Sequence, residues 1–174
     1  MEPFSMSVWT IGHSNRTETS FVELLKEFNI ISLIDIRTFP GSKKYPHFNK
    51  ENLRETLNSV QIDYVHLPEL GGRRKPKADS SNTAWRNSSF KGYADHMETQ
   101  EFKEGISKLE EVARASRTAY MCSEALWWKC HRALVSDLLK NEGWKVYHIM
   151  EIGKSQEHPY TSAARSEQGN LFYN

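Results

Sequence analysis

The chain has almost no cysteine: two residues in 174, Cys122 and Cys130. Two thiols cannot build the disulfide framework of a small secreted domain. No apolar run approaches the ~18 residues that a membrane-crossing helix needs, so no membrane association is expected. No charged-then-apolar leader precedes a cleavage site, and with only two cysteines this points to a reducing cytoplasm. An excess of one charge is also missing, since 23 Lys+Arg stand against 22 Asp+Glu for a formal net charge of +1. A generic polyanion binder is excluded, and a nucleic-acid role needs a local basic patch. There is no internal repeat and no low-complexity segment. What is present is 38% hydrophobic and 11% aromatic sequence, which argues against disorder. The length suits one domain with a real core.

Residues 1–6 stand outside the pattern and read as an N-terminal extension; residues 7–174 read as a single α/β domain. Short apolar runs at 8–12, 30–36, 62–67, 118–122 and 145–149 predict five strands. The run at 30–36 is almost continuously apolar, as in a strand buried on both faces of a parallel sheet. Between the runs, apolar residues recur at helical spacing. Phe21, Leu24, Leu25 and Phe28 follow a Thr19-Ser20 cap, and Leu53, Leu57 and Val60 follow Asn49. Further stripes are Phe102, Ile106, Leu109 and Val112, then Cys130, Leu134 and Leu138 in a helix over 127–140. Residues 71–92 read as a long loop, of the kind that is often functional. The tail from Gly153 is polar. Strand alternating with helix predicts an open three-layer α/β domain with a mainly parallel central sheet of about five strands.

Ligands of such sheets bind outside the carboxyl ends of the strands. The residues expected at that edge are polar throughout. The first strand delivers His13, Ser14, Asn15 and Arg16, and the second Asp35, Arg37, Lys43 and Lys44. The third delivers His66, Glu69, Arg73 and Arg74, the fourth Cys122, Ser123 and Glu124, and the fifth His148 and Glu151.

Several stretches resemble one family. They are Thr10-Ile11-Gly12-His13-Ser14-Asn15-Arg16, Asp35-Ile36-Arg37-Thr38-Phe39-Pro40-Gly41-Ser42 with Pro46-His47-Phe48-Asn49, and Tyr64-Val65-His66-Leu67-Pro68-Glu69-Leu70-Gly71-Gly72. Cys122-Ser123-Glu124, Cys130-His131-Arg132 and His158-Pro159-Tyr160-Thr161 complete the set. In this order, from about Val8 to Tyr173, the chain resembles the bacterial and archaeal family catalogued as domain of unknown function 488. The resemblance implies a cytoplasmic α/β domain and no settled activity, so the residues must carry the functional reading.

Asp35 and Arg37 lie two apart near a strand end and so share a side. Either Arg37 holds a phosphate or carboxylate, with Lys43 and Lys44 completing a cradle, or the two form an internal ion pair. The spacing is not that of a Walker loop. Gly71-Gly72-Arg73-Arg74-Lys75 is the densest basic run, and reads as a phosphate-contacting or a merely solvated loop. Cys122 between a strand end and a helix start can be a thiolate nucleophile, or a small apolar strand end. It lacks the tyrosine-phosphatase spacing, the next arginine being Arg132. Glu124 suits general acid or base work in a partly closed pocket, and His13 is a second acid/base candidate. His148 reads as a core residue. No Gly-x-Ser-x-Gly elbow exists for a serine hydrolase.

Two functions compete. One is an enzyme that binds a phosphorylated, nucleotide-like small molecule or a nucleic-acid end and performs hydrolysis or transfer at a glycosidic or phosphate bond. Asp35, Glu124, His13 and Cys122 would be catalytic. Ser14, Asn15, Arg16, Arg37, Lys43, Lys44, Glu69, Arg73, Arg74, His131 and Arg132 would bind substrate. The other is a thiol- or metal-dependent binding or sensing domain on Cys122, Cys130 and His131, although their spacing fits no standard metal site. No cofactor and no oligomeric state follow from the sequence.

Overall fold

The computed structural model describes residues 6–174. One sheet contains β1 (Ser7–Gly12), β2 (Ser32–Asp35), β3 (Asp63–His66), β4 (Thr118–Cys122), β5 (Lys145–Glu151) and β6 (Lys154–Glu157). Their order is β3-β2-β4-β1-β5-β6. The first five are parallel, and β6 runs antiparallel to β5. The expected open, mainly parallel sheet is therefore present, with a sixth strand at its edge.

Strand alternation divides the core in two. Trp9, Ile11, Leu33 and Met121 face α1 (Glu18–Glu27) and α2 (Lys50–Ser59), packing on Phe21, Leu25, Leu53 and Leu57. Val8, Ile34, Tyr120 and Val146 face the other way. There they meet α3 (Ser88–His96), α4 (Gln100–Ala115) and α5 (Arg132–Asn141), through Tyr93, Leu109 and Leu134. With both faces covered, near-continuous apolar strands such as the one at 30–36 are what burial demands.

Several local expectations change. Thr17 rather than Thr19-Ser20 caps α1, accepting from Ser20 N at 3.1 Å. Asn49 occupies the α2 cap position, but its side chain accepts from Ser42 N and ties down the preceding loop. The helix expected over 127–140 splits: Trp127–Lys129 form a 3-10 turn, Cys130 is extended, and α5 starts at Arg132. The expected loop 71–92 already contains the start of α3, capped by Asn87. With Gly92 at its centre, α3 has little helical signal. The remaining loop is anchored at the Asp95 carboxylate, which accepts from Lys77 N, Ser80 Oγ and Asn82 Nδ2 at 2.6–2.8 Å.

The polar tail is also structured. Besides β6 it forms a hairpin of β7 (Arg165–Glu167) and β8 (Asn170–Phe172). Its two connecting residues, Gln168 and Gly169, both have positive φ, as a tight hairpin turn requires. These strands are almost wholly exposed and lack apolar alternation, so the sequence conceals them. Of the supposed extension, residues 1–5 lie outside the described residues, while the Met6 carbonyl accepts from Lys145 N at 2.8 Å. Among the described residues, no helix is long and apolar enough to cross a membrane.

Candidate active site

A cleft of about 720 Å³ opens at the carboxyl ends of β1, β2 and β4, where the strand order predicts a ligand site. His13, Ser14 and Asn15 follow β1 into it; Arg37 and Lys44 follow β2; Cys122 and Glu124 follow β4. Arg73 and His131 also line it. Two non-glycine residues on the wall, Ser14 and Arg73, hold positive φ of 50° and 62°. Such conformations cost energy and concentrate at functional sites.

One wall is an ion pair. Arg37 Nε and Nη2 grip the two Asp35 oxygens at 2.9 and 2.8 Å, and Nη2 also donates to Phe48 O at 2.7 Å. Asp35 is fully buried and accepts further from Arg37 N and from the Tyr64 hydroxyl. Its oxygens are occupied, and it does not line the cleft. Asp35 is thus not the expected catalytic carboxylate, and Arg37 is mainly an internal partner rather than a phosphate grip.

His13 is corrected for a related reason. Its Nδ1–H donates to Ser14 O at 2.9 Å, and Nε2 accepts from Arg37 Nη1 at 3.3 Å. Burial, with the Arg37 charge beside it, pushes its pKa down to about 4. The ring stacks on Phe48, 4.4 Å between centroids, with both nitrogens engaged by protein groups rather than free for a substrate.

The floor holds both thiols. Cys122 ends β4, and its Sγ accepts from Arg132 Nε at 3.0 Å. Cys130 immediately precedes the α5 N-terminal turn, and its Sγ accepts from Arg132 N at 3.5 Å. The Cys122 thiol itself donates to Glu124 O at 3.8 Å. Burial pushes the Cys122 thiol well up. Burial also opposes ionisation of Cys130, but the neighbouring Cys122 thiol and the Arg132 charge and N–H outweigh it, bringing the thiol down to about 7. The pair thus carries one thiolate near neutrality. Arg132 Nε faces the Cys122 sulfur, while the Arg132 N–H and the helix terminus favour the charge on Cys130.

His131 completes the floor. Its Nε2–H donates to Ile36 O at 2.8 Å, leaving Nδ1 facing Cys130 Sγ at 3.4 Å. Gly72 lies against this ring: a Cβ there would stand 2.9 Å from Nδ1. Among the described residues, no three His, Cys, Asp or Glu side chains are grouped so as to hold a metal ion.

Several expected ligands are elsewhere. Arg132 is 1% exposed beneath the floor, donating also to Thr10 Oγ1, Glu124 O and Ala125 O. Arg16 is spent on Gly12 O and Met150 O. Glu69 pairs with Lys108, and Arg74 with Glu101 and Gly71 O, all outside the cleft. Lys43 is exposed beyond the cleft wall. Glu124 does line the cleft but is exposed, so the enclosed setting expected of it is absent. Lys129, Tyr45 and Tyr93 line the cleft without having been singled out.

The family model described as Domain of unknown function DUF488 matches residues 18–139. The chain belongs to this family. No curated protein and no solved structure matches it. The DUF488 match includes Asp35–Arg37 and Cys122–Arg132, while His13 and His158 lie outside the matched residues.

A buried polar chain crosses the end of the DUF488 match. Arg132 Nη1 donates to Thr10 Oγ1 (3.0 Å), whose hydroxyl meets His148 Nδ1 (2.6 Å). His148 Nε2 meets His158 Nδ1 (2.8 Å), and His158 Nε2 meets Asp137 Oδ1 (2.8 Å). A guanidinium only donates and a carboxylate only accepts, so Arg132 is the donor at one end of the chain and Asp137 the acceptor at the other. Burial, with His158 and Arg132 nearby, pushes His148 down to about 2. Asp137 also accepts from Thr161 N, Thr161 Oγ1 and Tyr173 OH. Sequence reasoning placed His148 in the core but gave Asp137 and His158 no role. A buried Asp within an otherwise apolar helix was the available signal.

Proposed function

We propose that the chain is an enzyme whose cleft takes a small anionic substrate and acts on it through the Cys130 thiolate. The observation that carries this reading is the convergence of two thiols on Arg132, Cys122 on its Nε and Cys130 on its backbone N–H; among the described residues the other partners of the guanidinium are a hydroxyl and two carbonyls, and no carboxylate. A buried cation without a carboxylate partner favours an anion at the sulfur. The wall favours an anionic ligand as well: Lys44, Arg73 and Lys129 line it against a single carboxylate, Glu124. Thiolate attack makes a covalent bond between Cys130 sulfur and the substrate's electrophilic atom, so transfer through a thio-intermediate is the reaction class. A phosphorylated, nucleotide-like substrate remains compatible with the three cations and with the Tyr45 ring, and a reducing cytoplasm would keep both thiols free. Hydrolysis driven by Asp35 is dropped, because that carboxylate is occupied.

Iodoacetamide labelling followed site by site across pH tests this. Cys130 is expected to label with a midpoint near pH 7, well ahead of Cys122. Labelling of Cys130 no faster than that of the unfolded chain at neutral pH would overturn the reading.

A further inference from the structure

We infer that Cys122 is a resolving thiol, and that the pair Cys130/Cys122 exchanges with small anionic disulfides. The inference rests on the thiolate reading above and adds the class of substrate. A nucleophile acting alone has no need of a second sulfur. Here both sulfurs are held by the same residue, Cys122 by Arg132 Nε at 3.0 Å and Cys130 by Arg132 N at 3.5 Å. Cys130 is 7% exposed and lines the cleft. Cys122 is 2% exposed, and a resolving thiol needs access only to its partner sulfur. The cationic wall of Lys44, Arg73 and Lys129 suits a disulfide bearing carboxylates.

The exchange balances within one turnover. The Cys130 thiolate attacks one sulfur of R–S–S–R, forming the Cys130–S–S–R bond and breaking the substrate bond, with RS⁻ leaving. Once Cys130 is capped, Arg132 faces Cys122 as the only remaining thiol. The Cys122 proton passes to the departing RS⁻ to give RSH. The Cys122 thiolate then attacks Cys130 sulfur, forming the Cys122–Cys130 disulfide and releasing the second RS⁻. The protein dithiol is oxidised by two electrons and the substrate is reduced. Excess monothiol reverses the exchange.

The test uses oxidised glutathione as the probe, with mass spectrometry of the intact and digested protein. The wild type is expected to lose two hydrogens, gain a Cys122–Cys130 cross-link and retain no glutathione. Cys122→Ser is expected to accumulate a glutathione adduct on Cys130, and Cys130→Ser to show neither product. Circular dichroism checks each fold, and Cys122→Ala serves if the serine variant is unfolded. A lasting Cys130 adduct on the wild type without a cross-link overturns the inference, as does the absence of any adduct or cross-link. Iodoacetamide labelling on the same samples separates the two ideas: if Cys130 still labels near pH 7, only the disulfide inference has failed.

Discussion

Arg132 donates from Nε to Cys122 Sγ at 3.0 Å, which sets a permanent cation beneath both thiols of the cleft floor. With the Cys122 thiol nearby, this cation is what overcomes burial and brings Cys130 down to about 7. Replacing it with a neutral side chain of similar length, Arg132→Met, should return the thiol toward the ordinary value of about 8.5. The thiolate fraction at neutral pH then falls from about one half to a few per cent, so iodoacetamide labelling slows roughly tenfold. A pH–rate profile of labelling on the folded variant measures this. An unmoved midpoint would mean that the helix terminus and Cys122 suffice.

Asp35 separates structural from catalytic roles. Its four accepted hydrogen bonds orient Arg37 and Tyr64 and never reach the cleft. Asp35→Asn should therefore lower stability by about 2–3 kcal/mol, since a buried guanidinium loses its charged partner. Denaturant unfolding reads that loss. The Cys130 labelling midpoint should stay where it is; a large shift would return Asp35 to the site's chemistry.

Two buried histidines set an acid limit. His13 is held at about 4 and His148 at about 2, both chiefly by burial, whereas an unfolded histidine titrates near 6.5. The native state keeps both neutral while the unfolded chain takes up protons. Their stabilising contribution is complete above about pH 6.5 and declines as pH falls towards about 4, where native His13 protonates. Each contributes a slope of about 1.4 kcal/mol per pH unit in that window. Urea unfolding at about pH 7, 6 and 5 should show the decline, and His13→Gln should remove part of it, since burial also lowers His96 and His131. A flat profile would contradict neutral burial of the two rings.

The sheet was legible because its strands carry their own signal. Val8–Ile11 and Thr118–Cys122 are apolar runs, and the runs recur at strand–helix spacing. The cleft edge was legible by the same route, since strand ends position ligands in any parallel sheet. Side-chain direction was not legible. Arg37 and Arg132 read as ligand grips, yet one closes on Asp35 two residues away and the other turns beneath the floor. Cys130 was assigned to a helix face because the periodicity of 127–140 is continuous. The break at Cys130, which puts the thiol at the start of α5, accompanies contacts of Arg132 with the 124–125 backbone that lie outside any local periodicity. β6 and the β7–β8 hairpin gave no hydrophobic period, because their side chains face water.

Asp137 is the terminus of the buried chain that begins at Arg132, and two substitutions distinguish what it supplies. Oδ1 accepts from His158 and Thr161 N, and Oδ2 from the hydroxyls of Thr161 and Tyr173. In Asp137→Asn the remaining oxygen keeps the first two donors. The new amide can donate to both hydroxyls, which are able to accept. Each hydroxyl oxygen then keeps a partner while its own proton loses the Oδ2 acceptor, and the expected loss is about 1–2 kcal/mol. Asp137→Leu strands all four donors at once, and the expected loss is at least about 3 kcal/mol, since each unsatisfied buried group carries its own desolvation penalty. Urea unfolding of the two variants gives the comparison. Should asparagine destabilise as strongly as leucine, hydrogen bonding is not the cause. The carboxylate charge would then be required to offset the buried Arg132 cation at the far end of the same chain.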